Sequence, residues 1–124
     1  MKTSLHLVLA VACGALAYQP KPEPAPAYLV SNAESITDTS MVRRYGASVG
    51  KTIRDYGGTV LVGAVPAVEL DSSPAPKGRF VIIQFPSMQA LQEWYNSPAY
   101  TAIRPLREKA TTGHFFALEG VSTP

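Results

Sequence analysis

The sequence predicts an α+β domain, a four-stranded antiparallel sheet with helices on one face. Three observations predict it. Short β-rich segments recur four times between Ala27 and Val121. Stretches of three-to-four-residue period lie between the first and second segments and between the third and fourth. Only a turn-rich loop separates the second from the third. The chain has 124 residues, 46% hydrophobic and 16% charged, which fits one globular domain. Its formal net charge is +2 and it has no Lys/Arg run, which argues against nucleic acid or an anionic membrane surface as the main partner.

The first seventeen residues are set apart. "MKTSLHLVLAVACGALA" carries Lys2, then an apolar run from Leu5 to Leu16, and ends in Ala15-Leu16-Ala17. Small side chains at those two alanines suit signal peptidase, and the run is too short for a spanning helix. Residues 1–17 therefore read as a cleaved secretory signal, and the protein as secreted or periplasmic. The alternative is a lipoprotein anchored at Cys13, since "AVACG" places small residues before the only cysteine. Residues 18–26, "YQPKPEPAP", alternate Pro with other residues and read as an extended linker. The domain is expected over 27–121.

Taken in order, "AYLVSNAE" (27–34) reads as a strand. In the next segment Met41, Tyr45, Val49, Ile53 and Tyr56 form one helical face. Asp38 suits the N-cap, and Gly57-Gly58 the stop. "TVLVGAVPAVEL" (59–70) is β-rich, but Pro66 lacks the N–H a ladder needs, so an edge strand or a bulge is expected. Residues 71–78 form a loop by composition, since Asp71, Ser72, Ser73, Pro74, Pro76 and Gly78 all favour turns. "RFVIIQF" (79–85) is the strongest strand. Ser87 can cap a short helix whose Met88, Leu91, Trp94 and Tyr95 share a face. Ser97-Pro98 opens another helix, which Pro105 is expected to kink or restart. "GHFFALEGV" (113–121) closes the sheet. The order is the split βαβ unit repeated twice, a ferredoxin-like βαββαβ.

Both faces of the strongest strand are apolar: Phe80 and Ile82 on one, Val81, Ile83 and Phe85 on the other. Phe115 and Ala117 likewise oppose Phe116 and Leu118. Helices cover one face only, so a homodimer through the open sheet face is expected. A charge at Val81 or Ile83, whichever faces the partner, should break it.

Motifs for nucleotide, redox or acyl chemistry do not occur, so no cofactor and no metal are expected: there is no P-loop, G-x-G-x-x-G, G-x-S-x-G or C-x-x-C. Without the leader, His114 is the only histidine. The chemistry that remains lies in "EWYNSPAYTAIRPLREKA" (93–110). Tyr100, Arg104 and Arg107 share a helical face, and two guanidiniums beside a phenol can grip a carboxylate or phosphate. The competing reading pairs Arg104 with Glu108 and stacks it on Tyr100, a packing device. Trp94 and Tyr95 are expected as core or pocket wall, and His114 as a residue that folding could add. Trp94, Tyr95, Tyr100, Arg104, Arg107 and His114 are thus the candidate ligand-binding residues; no catalytic residue is assigned.

"AYLVSNAE", "RRYGASVGKTIRDYGGTVLVGA", "RFVIIQFPSMQALQEWYNSPAYTAIRPLREKAT" and "FALEG" resemble the domain-of-unknown-function 1330 family. The marks are F-P-S, W-Y-x-S-P-x-Y, the R-x-x-R at Arg104 and Arg107, and Tyr56-Gly57-Gly58. The resemblance runs from about Ala27 to Gly120 and implies a ferredoxin-like domain of the dimeric α/β-barrel group. That group contains small monooxygenases, isomerases and haem-handling proteins, and the family implies no single reaction. Its members are usually read as cytosolic, which the leader contradicts. Two functions follow. One is a cofactor-independent enzyme, oxygenase or isomerase, acting on a small anionic or aromatic molecule. The other is a non-catalytic small-molecule binding protein of the cell envelope or exterior.

Overall fold

The computed structural model describes residues 22–122. The expected leader 1–17, with Cys13, and the first residues of the expected linker lie outside them. Residues 22–26 carry no regular secondary structure. The elements are β1 (Ala27–Ile36), α1 (Thr39–Asp55), β2 (Thr59–Pro66), β3 (Arg79–Phe85), α2 (Met88–Tyr95), α3 (Pro98–Ala110) and β4 (Thr111–Glu119). The sheet order is β2-β3-β1-β4, with every neighbouring pair antiparallel. This is the ferredoxin-like α+β fold.

Local chemistry sets the helix ends. The Asp38 carboxylate accepts from the Met41 N–H at 3.0 Å and so satisfies one of the unpaired first-turn donors of α1. At the other end the Gly57 N–H donates to the Arg54 carbonyl and the Gly58 N–H to that of Ile53. This paired closure needs a left-handed residue, and Gly57 supplies it at φ 78°. Ser87 caps α2 by accepting from Ala90. Ser97, 4% exposed, joins α2 to α3: its hydroxyl donates to the Trp94 carbonyl at 2.7 Å and accepts from the Tyr100 N–H at 3.2 Å. Pro98 opens α3 at its first turn, where no N–H is needed.

Pro105 does not restart the helix. α3 runs continuously through it to Ala110. Pro105 is on the exposed side, so the backbone acceptor it leaves unpaired is near water, and the helix tolerates the loss. β2 stops at Pro66, is an edge strand, and has register shifts at Val60/Val62 and Gly63/Val65. Ala64, between the second pair, takes a left-handed φ of 59°, and Arg79 Nη1 donates to its carbonyl at 3.0 Å. β1 and β4 also slip, between Ala33 and Ser35. Gly113 lies beside that slip at φ 146°, where a Cβ would collide with the Asn32 carbonyl.

The core lies between the helices and the sheet. Ala27, Leu29, Ile83 and Phe85 come from the strands, and Ile53, Leu91, Trp94 and Tyr100 from the helices. Val81, Phe115 and Ala117 pack against this set. The helix-facing side of β3 is therefore Val81, Ile83 and Phe85. The alternation puts Phe80 and Ile82 on the helix-free side, so the expectation that Val81 or Ile83 could face a partner is corrected. On the helix-free side, Val30 pairs with Ile82 and Phe116, and Tyr28 with Gln84 and Leu118. Phe116 is 46% and Leu118 55% exposed, so this face carries apolar surface open to solvent.

Candidate functional site

The aromatic stretch builds a cluster on the helix side of the sheet. Trp94 is fully buried, 4.1 Å from the Tyr100 ring and 5.2 Å from Phe85. Its indole N–H donates to Thr52 Oγ1, which donates on to the Val49 carbonyl. With its one polar atom partnered and no exposed surface, Trp94 is core and not a pocket wall. Tyr95 is half-buried, 5.7 Å from Tyr100 and 6.1 Å from Phe115.

The two arginines behave differently. Arg104 pairs with Glu108 at 3.1 Å and lies over the Tyr95 ring at 4.8 Å. The expected ion pair is there, but the ring beneath it is Tyr95 and not Tyr100. Arg107 lies over the Phe115 ring at 3.7 Å, and its Nε donates to the Tyr100 hydroxyl at 3.2 Å. Among the described residues no carboxylate lies within ion-pair distance of Arg107. Among those residues its charge meets a phenol and an aromatic face.

The Tyr100 hydroxyl also meets that of Tyr45, from α1, at 3.0 Å. Burial, with the Tyr100 hydroxyl alongside, pushes the Tyr45 phenol well above its ordinary range, and the Arg107 charge offsets part of this. Tyr45 therefore stays a neutral phenol across the physiological range. Sequence reasoning placed Tyr45 on the buried stripe of α1 and gave it no part in the site. The polar tip at that position was the available signal.

His114 is not brought into the cluster. Strand alternation puts it on the face opposite Phe115, paired across the sheet with Asn32. Its side chain is 67% exposed, with Nε2 3.3 Å from Glu34 Oε1. Five of the six candidates, Trp94, Tyr95, Tyr100, Arg104 and Arg107, thus adjoin one another on the helix side, and His114 stands apart.

A cleft of about 200 Å³ opens between α2 and the β1–β4 side of the sheet. Leu29, Leu91, Tyr95, Phe115 and Ala117 give it apolar walls, and Gln92 and Asn96 a polar lip. Of the three aromatic residues in its lining, Tyr95, Phe115 and Phe116, the first two carry the rings over which Arg104 and Arg107 lie. It can accept a small flat apolar group with cationic charge nearby. Among the described residues no cluster of three or more His, Cys, Asp or Glu could hold a metal ion.

Solved structures share this fold at low identity. The RPA0582 protein of unknown function from Rhodopseudomonas palustris is 16% identical, with 94% of this chain and 95% of that chain covered and a TM-score of 0.62. A putative antibiotic biosynthesis monooxygenase from Caulobacter crescentus CB15 is 12% identical, covering 82% and 94%, with a TM-score of 0.55. A conserved protein from Methanosarcina mazei Go1 is 11% identical, covering 82% and 96%, at 0.51. At such identities the likeness is one of fold alone. A search of curated proteins finds no match. The family model described as Domain of unknown function (DUF1330) matches residues 26–121, and the chain belongs to that family.

Proposed function

We propose that this protein binds a small, flat, anionic molecule in the cleft between α2 and β4. The observation that carries the reading is Arg107: a guanidinium with no carboxylate partner among the described residues, laid on a ring that lines the cleft. An unmatched charge on a half-buried side chain is costly unless a counter-charge visits it. Arg104 has its counter-charge in Glu108 and serves as packing. Native mass spectrometry of protein purified from its own source tests the reading. A retained small molecule, lost in Arg107→Gln, supports it. A clean apo mass, with carboxylate and phenolate probes that bind no better to the native chain than to Arg107→Gln, would sink it.

A second reading, a cofactor-independent oxygenase or isomerase, is favoured by the Tyr45–Tyr100–Arg107 hydroxyl chain beside the cleft. The Caulobacter fold relative supports it only at the level of architecture.

We also propose that the protein is a homodimer closed through the helix-free sheet faces. The apolar surface at Val30, Phe80, Ile82, Phe116 and Leu118 supports this. A further proposal is that the domain works after export. It rests on the leader pattern of residues 1–17, with the alternative of anchoring at Cys13. Intact-mass analysis of the exported protein decides that point: a chain starting at Tyr18 is expected, and one starting at Met1 or carrying lipid on Cys13 refutes it.

A further inference from the structure

The cleft between α2 and β4 is open where β4 ends the sheet. Phe115, Phe116 and Ala117 are consecutive, yet all three line it. Strand alternation sends Phe115 and Ala117 to the helix side and Phe116 to the other, so the cleft wraps the outer edge of β4. Among the described residues no strand pairs with that edge. Phe116 also belongs to the helix-free face, so the cleft mouth and that face form one continuous surface. Beyond the other edge strand, β2, the converse holds: Val68 is 81% and Leu70 92% exposed, apolar side chains that their own protomer leaves uncovered. They stand on a folded arm, where Glu69 Oε1 accepts from the Ala75 N–H at 3.3 Å. The base of the arm is fixed. Asn32 Nδ2 donates to the Lys77 carbonyl at 2.8 Å, and Gly78 packs so closely that a Cβ would collide with the Ala33 carbonyl. Asn32 lies opposite Phe80 and His114, on the helix-free face, so the arm is anchored toward the side proposed to meet a second copy.

We infer that the partner subunit's Val68 and Leu70 close the mouth of this cleft in the dimer, so that each binding site is built by two copies of the chain. With the sheets face to face and the two-fold axis along the strands, the β2 edge of one copy lies over the β4 edge of the other. The same contact is then made twice, and both open edges are met at once. Leu70 is four residues past Pro66, a span of roughly 13 Å, enough to cross the roughly 10 Å between packed sheets. The two register shifts of β2 and Pro66 disfavour a continuous ladder with the partner, so side chains make this joint. Only the outgoing limb of the arm takes part, and the turn at residues 71–74 can vary in length. Burial of Leu70 against the cleft mouth also encloses whatever the cleft holds. Binding and assembly are therefore linked, each strengthening the other by the same factor. The ligand half of the inference rests on the cleft reading; the closure does not.

The closure can be read without a ligand. Full chains with Cys13→Ser and Leu70→Cys, carrying a nitroxide at position 70, are mixed with isotope-labelled native chains and left to exchange subunits. The amide signals of Leu91, Tyr95 and Ala117 in the native copies should broaden, and those of Arg43 and Ala47 on the exposed side of α1 should stay sharp. Unbroadened cleft signals overturn the inference, and so does a native chain that is monomeric at the concentration used. Salicylate, a flat carboxylate, tests the ligand half by isothermal titration. Leu70→Asp charges a side chain that its own protomer leaves exposed, so the protomer should stay folded. Salicylate should then bind about tenfold more weakly, the loss of one buried Leu contact. Equal affinity in the native chain and in Leu70→Asp keeps the cleft reading and overturns the closure. Broadened cleft signals in a native chain that binds no salicylate keep the closure and count against the small-molecule reading instead.

Discussion

The indole N–H of Trp94 donates to Thr52 Oγ1 at 3.0 Å, a buried bond that ties α2 to the last turns of α1. Trp94→Ala should therefore destabilise the domain by about 3–5 kcal/mol, through lost burial and the cavity left behind. Thr52→Val keeps the shape and removes the acceptor, leaving a buried donor unpaired at a cost of about 1–3 kcal/mol. Urea unfolding followed by Trp fluorescence measures Thr52→Val; circular dichroism is needed for Trp94→Ala. A Thr52→Val variant as stable as the native chain would mean that the indole finds another partner.

Arg104 and Arg107 should separate cleanly. Arg104→Ala removes an exposed-side ion pair and a stacking contact, so a loss of only about 0.5–1 kcal/mol is expected, with ligand affinity little changed. Arg107→Gln should weaken binding of an anionic probe about tenfold or more. Spacing alone named both arginines as candidate binding residues. The ion pair of Arg104 with Glu108 singles out Arg107. Isothermal titration of folded variants decides between them.

Stability should fall at alkaline pH in a way that depends on Tyr45. Its folded-state phenol is held above the ordinary phenol range of about 10, mainly by burial. Between the ordinary value and the raised one, the unfolded chain releases this proton and the folded chain keeps it, so unfolding gains. The linked stability is whole below about pH 10 and declines above it. Thermal melts across that range should show a shallower decline for Tyr45→Phe than for the native chain. Parallel curves would show that Tyr45 ionises in the folded state like a free phenol.

Charge on the helix-free face should disrupt assembly without unfolding the protomer. Ile82→Lys places an ammonium on that face, between Val30 and Val62 in the register. Sedimentation should show the native chain as a dimer at micromolar concentration and Ile82→Lys as a monomer. Val81→Lys faces the helices and should unfold the domain instead. A monomeric native chain would remove the dimer proposal and leave Phe116 and Leu118 as unexplained exposed surface.

Much of the fold was legible because periodicity reports burial directly. The three-to-four-residue stripe of α1, the caps at Asp38, Ser87 and Ser97, and the uninterrupted "RFVIIQF" each carry their own local physics. Pro66 likewise gave the edge strand, since a missing donor has few places to go. The restart expected at Pro105 did not occur, because helix tolerance depends on which side of the helix meets solvent, a tertiary property. The site was only partly legible for the same reason. Spacing put Tyr100, Arg104 and Arg107 near one another, but not which arginine met a carboxylate. Strand parity in "GHFFALEG" separated His114 from Phe115, yet the helix side could be chosen only once the sheet was assembled. The Tyr45–Tyr100 contact joins residues 55 positions apart, beyond the reach of any local pattern.

The chain passes from α3 at Ala110 into β4 at Thr111 without a connecting residue. Thr111 closes this corner through its hydroxyl, which donates to the Arg107 carbonyl at 2.9 Å, and the Thr37 N–H donates to that of Ala110. Arg107 and Phe115 are therefore held on two arms of one rigid bracket. One inserted residue here would rotate every later side chain of β4 to the wrong face and carry the ring from beneath the guanidinium. The β2–β3 connection, exposed along most of residues 67–78, is free of that constraint, since lengthening a surface loop costs only slowly growing entropy. Changes in chain length among descendants of this gene should accordingly collect between β2 and β3 and be purged at the Ala110–Thr111 joint.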